Sequence, residues 1–556
     1  MESISRRNLI TGSAVLGAAA AAGQWAVQAP TSVQAAETSN PDWLGESPAI
    51  DEDAIAQTID ADVVVVGAGN AGSMCAARAA EAGANVVVLE RMGIQTTARN
   101  FLGAVGTRWQ EEAGYPIDRN AIVNDLVRYS NGWAKHELLN LWADNSAAML
   151  EYIDGLLETG GAGIMLEYGM PEIDTYTPWP TNHFLMANRG VADGNIRVSS
   201  IEYLTKHAEA SGAQFLFETE LVKAETDGER VTGVIAQNTD GEYLRVNAAK
   251  GVVLATGGYA GNSQMLDALQ PWLNNLATTK MATDTSQGSG IKAGLWLGAA
   301  MQVHPTAMLF DRGLIPAGGS AGAPFEGSIW SGCSQPTLRV NRQGRRFSNE
   351  SMPYDFNSHA ARANGDGTWF QIMDANYASD FEAYQTMGCS RLVAGPGTGF
   401  SADGNKPGSM DATVVKLESL VEDGLAQRAD TIEELAEKLG LPADQLAATV
   451  ERYNELAAKG SDDDFGKEPS RLRPVQEAPF YGIQVGSWLL CTLDGLCVNG
   501  DFAVLDEQGQ PIEGLYAIGN DSGDFFCGNY PELVVGVAVG RSLTSGYLLG
   551  EALANK

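Results

Sequence analysis

Asp62-Val63-Val64-Val65-Val66-Gly67-Ala68-Gly69-Asn70-Ala71-Gly72 is the stretch on which the reading of this chain turns. The β-branched run is a buried parallel strand in the making. The glycines follow at once, and an alanine-rich helical stretch covers residues 73–82. A second strand is expected at residues 85–89, and it ends on Glu90. Each position has a mechanical role. Gly67 allows the tight turn, Gly69 lets backbone approach a pyrophosphate, and Gly72 permits close packing of helix on strand. The helix start, Asn70 and Ala71 included, presents N–H groups to the phosphates. Glu90 lies 18 residues beyond Gly72, placed to accept hydrogen bonds from a ribose. Strand, glycine turn, helix, strand and terminal acid together predict a dinucleotide site.

Two distant segments extend that site. Gly251-Val252-Val253-Leu254-Ala255-Thr256-Gly257-Gly258 is a second strand running into glycines. Gly514-Leu515-Tyr516-Ala517-Ile518-Gly519-Asn520 is a third, close to the C-terminus. A nicotinamide Rossmann domain has no need of such a returning segment. The three together resemble the two-part FAD domain of fumarate-reductase-type flavoproteins. Gly288-Ser289-Gly290 through Gly298-Ala299 resembles that family's GDG…GA helix, with Ser289 replacing the usual Asp. Val303-His304-Pro305-Thr306 matches its His-Pro-Thr segment, and residues 340–350 (VNRQGRRFSNE) match its hairpin with Asn-Glu signature. The resemblance covers roughly residues 60–556. It implies bound FAD, with contacts also from Arg91, Asn100, Gly103 and Val222.

The expected fold is α/β: a Rossmann-like FAD-binding domain in two chain segments, 61–299 and 491–556, with an inserted α+β capping domain at 300–490. Thr431-x-x-Glu434 is a capping-box pattern before one helix of that insert, and residues 445–459 form a second amphipathic helix. At 556 residues, two to four domains are expected.

Ahead of the glycine motif, Ser5-Arg6-Arg7-Asn8-Leu9-Ile10 opens an Ala/Gly-rich run that ends in Val33-Gln34-Ala35-Ala36. A charged start, a short apolar centre and a small-residue exit describe an export signal. The Arg pair resembles the twin-arginine type, which carries proteins already folded, commonly with cofactor. Residues 1–36 are expected to be a leader and 37–60 a linker. The location implied is the periplasm or the outer face of the cytoplasmic membrane. The net charge is −33, which argues against nucleic acid as a partner. The six cysteines form no CxxC or CxxCH, so neither a cluster, a zinc ribbon nor a c-type haem is indicated. Electrons must then reach the flavin from a separate donor, and a membrane quinol-linked cytochrome is the expected one.

Against the fumarate reductases, several functions are missing. Tyr354 stands where the family's proton-donating arginine lies. The relay Glu and Arg fall near Trp330 and Cys333, and the second carboxylate-binding His near Cys491. Residues 528–535 contain no Arg. Paired carboxylates call for paired cations, so these losses argue against fumarate. Asn349-Glu350-x-x-Pro353-Tyr354 with a late Tyr530-Pro531 resembles instead the 3-ketosteroid dehydrogenases and related enone-active flavoproteins. That resemblance implies Tyr354 as proton-handling residue and Tyr530 as hydrogen-bond donor to a ketone. Glu532-Leu533-Val534 replaces the usual Gly-x-Gly, which puts its backbone donor, and a steroid substrate, in question. A third tyrosine of that family corresponds to Tyr152, Tyr168 or Tyr176. His304 is expected to line the site. Trp330 and Trp369 are candidates for an aromatic wall, and Glu532 for tuning Tyr530 or binding a cation.

The expected activity is reduction of a carbonyl-conjugated C=C bond, with hydride from flavin N5 and a proton from Tyr354, as a respiratory terminal step. Three alternatives stay open: a desaturase of ketosteroid-dehydrogenase type, a reductase of an unsaturated carboxylate, and a non-catalytic electron carrier or sensor.

Overall fold

In the computed structural model, residues 63–66 are buried on both faces, flanked in parallel by Val86–Leu89 on one side and Tyr243–Leu254 on the other. The structure describes residues 41–95, 100–167, 173, 175–191, 197–280, 285–322, 329–392 and 410–556. Residues Trp43–Lys556 make one compact unit; of Met1–Asp42 only residues 41–42 are described, so the expected leader lies outside the described residues.

The main sheet runs Ala503–Leu505, Pro511–Ala517, Tyr243–Leu254, Ile55–Val66, Val86–Leu89, Gln214–Leu216, and only the first pairing of that path is antiparallel. Register brings the strand ends level. Val66 is opposite both Leu89 and Leu254, and Leu254 is opposite Ala517. Four carboxyl ends therefore open at one edge, directly before Gly67, Glu90, Ala255 and Ile518. Open parallel sheets bind ligands at such an edge. The antiparallel hairpin Thr219–Thr226 and Val231–Asn238 leans on the first half of Tyr243–Leu254. The helices Asn70–Glu81 and Val537–Ala554 pack together, joining the first and last parts of the chain.

The expected linker is shorter than residues 37–60. Ile55–Val66 is one strand, and its first half pairs with Tyr243 through Ala248. Gln57 falls between Ile55 and Ile59 on the same face, so no apolar alternation marks this half of the strand in the sequence.

The second sheet is organised on one long strand, Phe480–Thr492. Ala307–Ile315, Trp369–Met373 and Ala426–Ala429 pair with it antiparallel, and Leu338–Val340 extends from Trp369–Met373. Ala277–Lys280 also joins it, in parallel, from before the boundary expected at residue 300. Thr431 caps Ile432–Leu439 by accepting from Glu434 N (3.1 Å), while the Glu434 carboxylate reaches Asp430 N rather than completing the box. The second cap helix spans Ala443–Lys459. The Gln343-Gly344 turn closes with Gly344 N donating to Asn341 O, but no return strand follows. Thr449 Oγ1 instead pins the Gly344 carbonyl to the helix. A small third sheet joins Leu102–Gly103, Asn182–Met186 and Gly163–Leu166.

Candidate active site

A cavity of about 370 Å³ opens at the strand ends and runs into the second sheet. Its nucleotide end is built largely from backbone. Gly67 takes φ +106°, and a Cβ on Gly72 would lie 1.9 Å from the Gly67 carbonyl oxygen, so helix and strand meet at a distance only glycine permits. The buried Glu90 accepts from Ala68 N (2.8 Å) with one carboxylate oxygen and from Met92 N (2.9 Å) with the other. Each oxygen keeps a second lone pair, and the residue lines the cavity. Arg91 donates to Thr285 O (3.0 Å) and faces Glu220.

Asp521 ties the distant segments together. It accepts from Thr256 N and Oγ1 (2.5 and 2.7 Å) and from Gly258 N (2.9 Å). Burial raises its pKa, and the Gly258 and Thr256 hydrogen bonds oppose that. Sequence reasoning missed this residue, although an acid directly after Gly519-Asn520 was the available signal.

Gly67, Gly69, Asn70, Ala71, Glu90, Arg91, Thr256, Gly257, Gly519 and Asn520 line the cavity. Gly72, Asn100, Gly103, Val222 and Gly258 stand behind that lining. Asn100 and Asn70 share the Ser200 hydroxyl, and Gly103 N donates to Gly536 O (2.9 Å). Beside Val222, it is Thr219, Glu220 and Leu221 that reach the cavity. Also unforeseen are Ser286, Ser289 and the start of the last helix, with Gly536, Ala538 and Val539. A deep cradle with glycine at its turn, an accepting acid, and a helix N-terminus at each end suits the pyrophosphate, ribose and ring of FAD.

The other end is made of side chains. Met308 and Phe310 alternate inward from one strand. A register shift opposite Leu309 lets the consecutive Leu490 and Cys491 both face the cavity. Tyr354 heads the helix Tyr354–Ala363 and Tyr530 comes from the C-terminal segment. Their rings stack at 6.3 Å between centroids with 13° between planes. Phe310 meets Tyr354 edge-on at 4.7 Å. Both tyrosines are buried. Burial, then the neighbouring Tyr530 and Glu532, hold the Tyr354 hydroxyl far above its ordinary pKa of 10.0, with Arg312 opposing. Burial, then Cys389 and Cys491, do the same for Tyr530, and the Ala538 N–H opposes. Both phenols are therefore protonated at neutral pH. Val534 N, at the position of the questioned backbone donor, is taken up by Pro531 O (3.0 Å).

Other expected residues lie elsewhere. His304 is outside the cavity lining and stacks on Trp133 at 3.7 Å. Tyr152 packs by Arg78 and Tyr547, Tyr176 by Tyr129 and Phe356, and Tyr168 lies outside the described residues. Trp330 and Trp369 belong to a core of the second sheet. Arg541 is buried and donates to Ser522. No cysteine is in a disulfide. Among the described residues that line the cavity, Arg91 is the only Lys, Arg or His, and it sits at the nucleotide end.

Fold and site define a flavoprotein of the two-part dinucleotide type, and comparison with known proteins agrees. The family described as FAD binding domain matches residues 62–532, and the chain belongs to that family. It is 30% identical to the vinyl phenol reductase of Lactiplantibacillus plantarum over 87% of this chain and 95% of that one. Among solved structures, it resembles a 3-ketosteroid delta1-dehydrogenase from Sterolibacterium denitrificans (TM-score 0.68, 21% identity, 89% of this chain and 99% of that one). It also resembles a flavocytochrome c3 fumarate reductase (TM-score 0.64, 23% identity, 93% and 82%). The protein is an FAD-dependent oxidoreductase acting on carbon–carbon bonds.

Proposed function

We propose that the protein reduces a C=C bond conjugated to a carbonyl or a phenol ring, in an uncharged, planar substrate. The observation that carries this is the stacked, buried Tyr354–Tyr530 pair in an apolar recess whose described lining offers no cation for a carboxylate. Likeness to a vinyl phenol reductase supports the aromatic class. Bound FAD would supply hydride from N5. Tyr354, fully protonated, delivers a proton to the other alkene carbon as general acid. With a carbonyl-conjugated substrate, Tyr530 donates its O–H to the carbonyl oxygen on which negative charge builds, and the low-polarity walls strengthen that bond. Phe310 and the tyrosine rings hold the substrate flat by stacking.

The same facts favour reduction over desaturation. Desaturation needs Tyr354 as a base, and a phenol whose pKa is raised is a poor one. An electron carrier would have no use for two buried phenols in the recess. Export by the twin-arginine route, and electron supply by a separate quinol-linked cytochrome, complete the proposal. Cell fractionation and re-reduction by the membrane fraction test those parts.

The central test is anaerobic reoxidation of reduced, FAD-loaded protein, followed at the flavin absorbance band. Vinyl phenols, hydroxycinnamates, enones, urocanate and fumarate form the panel. Rapid reoxidation by a neutral aryl-alkene or enone, lost in Tyr354→Phe, is expected. Reoxidation by fumarate alone would overturn the substrate class.

A further inference from the structure

A second cavity of about 30 Å³ adjoins Tyr354. Tyr354 lines both cavities. The smaller one is walled by the carboxyl groups of Asp311, Glu350 and Glu532 and by Ser334, Ser351 and Ser390. Five of the six are at least nine-tenths buried, and Glu532 is partly buried. Three polar atoms there, Asp311 Oδ1, Ser334 Oγ and Ser351 Oγ, have no hydrogen-bond partner among the described residues. Buried polar atoms are seldom left so, and a space of this size with that many partners holds a water molecule.

Glu532 links this space to the active site. Its carboxyl group accepts from Tyr354 N (2.6 Å) and from Ser390 Oγ (2.7 Å). The groups facing it are Asp311 and Arg312 from one strand and Tyr354 from its helix. Tyr530, Arg471 and Tyr129 face it from three further segments. Asp311 and Glu350 are held as ion pairs: Asp311 with Arg339 (2.6 Å), Glu350 with Arg346 (2.9 Å) and Lys467 (3.4 Å). Among the described residues, Glu532 has no ion-pair partner of that kind. Burial first, then the Asp311 charge, push its pKa up to about 8, so it carries a proton at neutral pH.

We propose that Glu532 and the water in this small cavity re-protonate Tyr354 after each turnover, in place of the arginine–glutamate relay that the chain lacks. The proposal rests on the reading of Tyr354 as proton donor. In the chemical step the Tyr354 O–H bond breaks as the substrate C–H bond forms, leaving a phenolate. The Glu532 O–H bond then breaks, and its proton passes through water to the phenolate oxygen. The Glu532 carboxylate takes a proton in turn from the cavity water and, through it, from solvent. One solvent proton is consumed per alkene and no electrons move.

The test is Glu532→Gln in the FAD-loaded full chain. Glutamine keeps an acceptor for Tyr354 N but carries no acidic proton. Because Tyr354 starts out protonated, the first turnover should run at the wild-type rate, giving a burst of one product per flavin. Steady-state turnover with reduced methyl viologen should then fall by about a hundredfold, the lower end of what a general acid contributes. Glu532→Asp should restore part of it. Unchanged steady-state turnover in Glu532→Gln overturns the relay. Loss of the first turnover along with the rest assigns Glu532 a structural role only and also overturns it. An infrared carbonyl band of a protonated buried carboxyl group at neutral pH, present in the wild type with or without FAD and lost in Glu532→Gln, is expected; its absence overturns the proposal whether or not the variant folds. If the wild type itself is reoxidised by no alkene, the failure lies with the reduction reading, and the relay falls with it.

Discussion

The two ends of the main cavity are built by different means. At the nucleotide end, four strand ends in register deliver Gly67, Glu90, Ala255 and Ile518 to one edge, and the contacts are largely backbone. At the substrate end, residues from five separate stretches (Met308 and Phe310, Tyr354, Cys389, Leu490 and Cys491, Tyr530) converge through side chains alone. Backbone sites depend on where glycine allows approach, and they tolerate little change. Side-chain sites can exchange an arginine relay for a tyrosine pair and leave the scaffold intact. One family can therefore share the first end and differ at the second.

If that division is right, substitutions at the substrate end should abolish chemistry and spare the flavin. Tyr354→Phe should give the largest effect, a loss of about 10²–10⁴-fold in the rate of flavin reoxidation. FAD content measured by absorbance should be unchanged. The next effect is on stability. Glu532 has a folded pKa of about 8 against 4.5 for the ordinary carboxyl group. Between those values the folded state holds a proton that the unfolded state has released, so stability falls as pH rises. Each unit of the gap is worth about 1.4 kcal/mol. Glu532→Gln should remove that slope, so that the variant gains on the wild type from pH 5 to 8 in denaturant melts. A wild-type stability flat over that range would refute it. Tyr530→Phe follows, at about 3 kcal/mol or roughly a hundredfold in rate, the size of one lost donor to a developing oxyanion. FAD should again be retained.

The difference in legibility has the same origin. Valine runs, glycine spacing and a terminal acid are local patterns, so the nucleotide end could be read from residues 62–90 and its returning segments. Asn100 and Val222 were expected to touch the cofactor. Asn100 acts through Ser200, and in place of Val222 the three residues before it, Thr219, Glu220 and Leu221, line the cavity. At the other end only Tyr354 and Tyr530 could be found, through motifs. Phe310, Leu490 and Cys491 depend on the register between two strands far apart in the chain, Ala307–Ile315 and Phe480–Thr492, bulge included, and no local pattern encodes it. Glu532 was visible as an acid beside Tyr530. Its burial and its bond to the Tyr354 backbone were not.

Two smaller effects probe the boundary between the ends. Gly72→Ala would place a methyl group 1.9 Å from the Gly67 carbonyl oxygen, which only a backbone shift can relieve. Overpacking of this kind costs about 1–3 kcal/mol. FAD content and melting temperature should drop, while the rate per bound flavin stays at the wild-type value. A reduced rate per bound flavin would show that the two ends are coupled. His304 gives the sharpest contrast. Its sequence motif points to the active site, yet its ring lies flat on the half-exposed Trp133, outside the cavity lining. A side chain that touches neither cofactor nor substrate behaves as a peripheral one, and such substitutions stay within about 0.5 kcal/mol, roughly a factor of two. His304→Ala should therefore leave both kcat and FAD content within that factor. A loss of tenfold or more in kcat would mean that the Trp133–His304 stack closes over the recess during turnover, and the substrate end would then extend one layer further than the cavity walls mark.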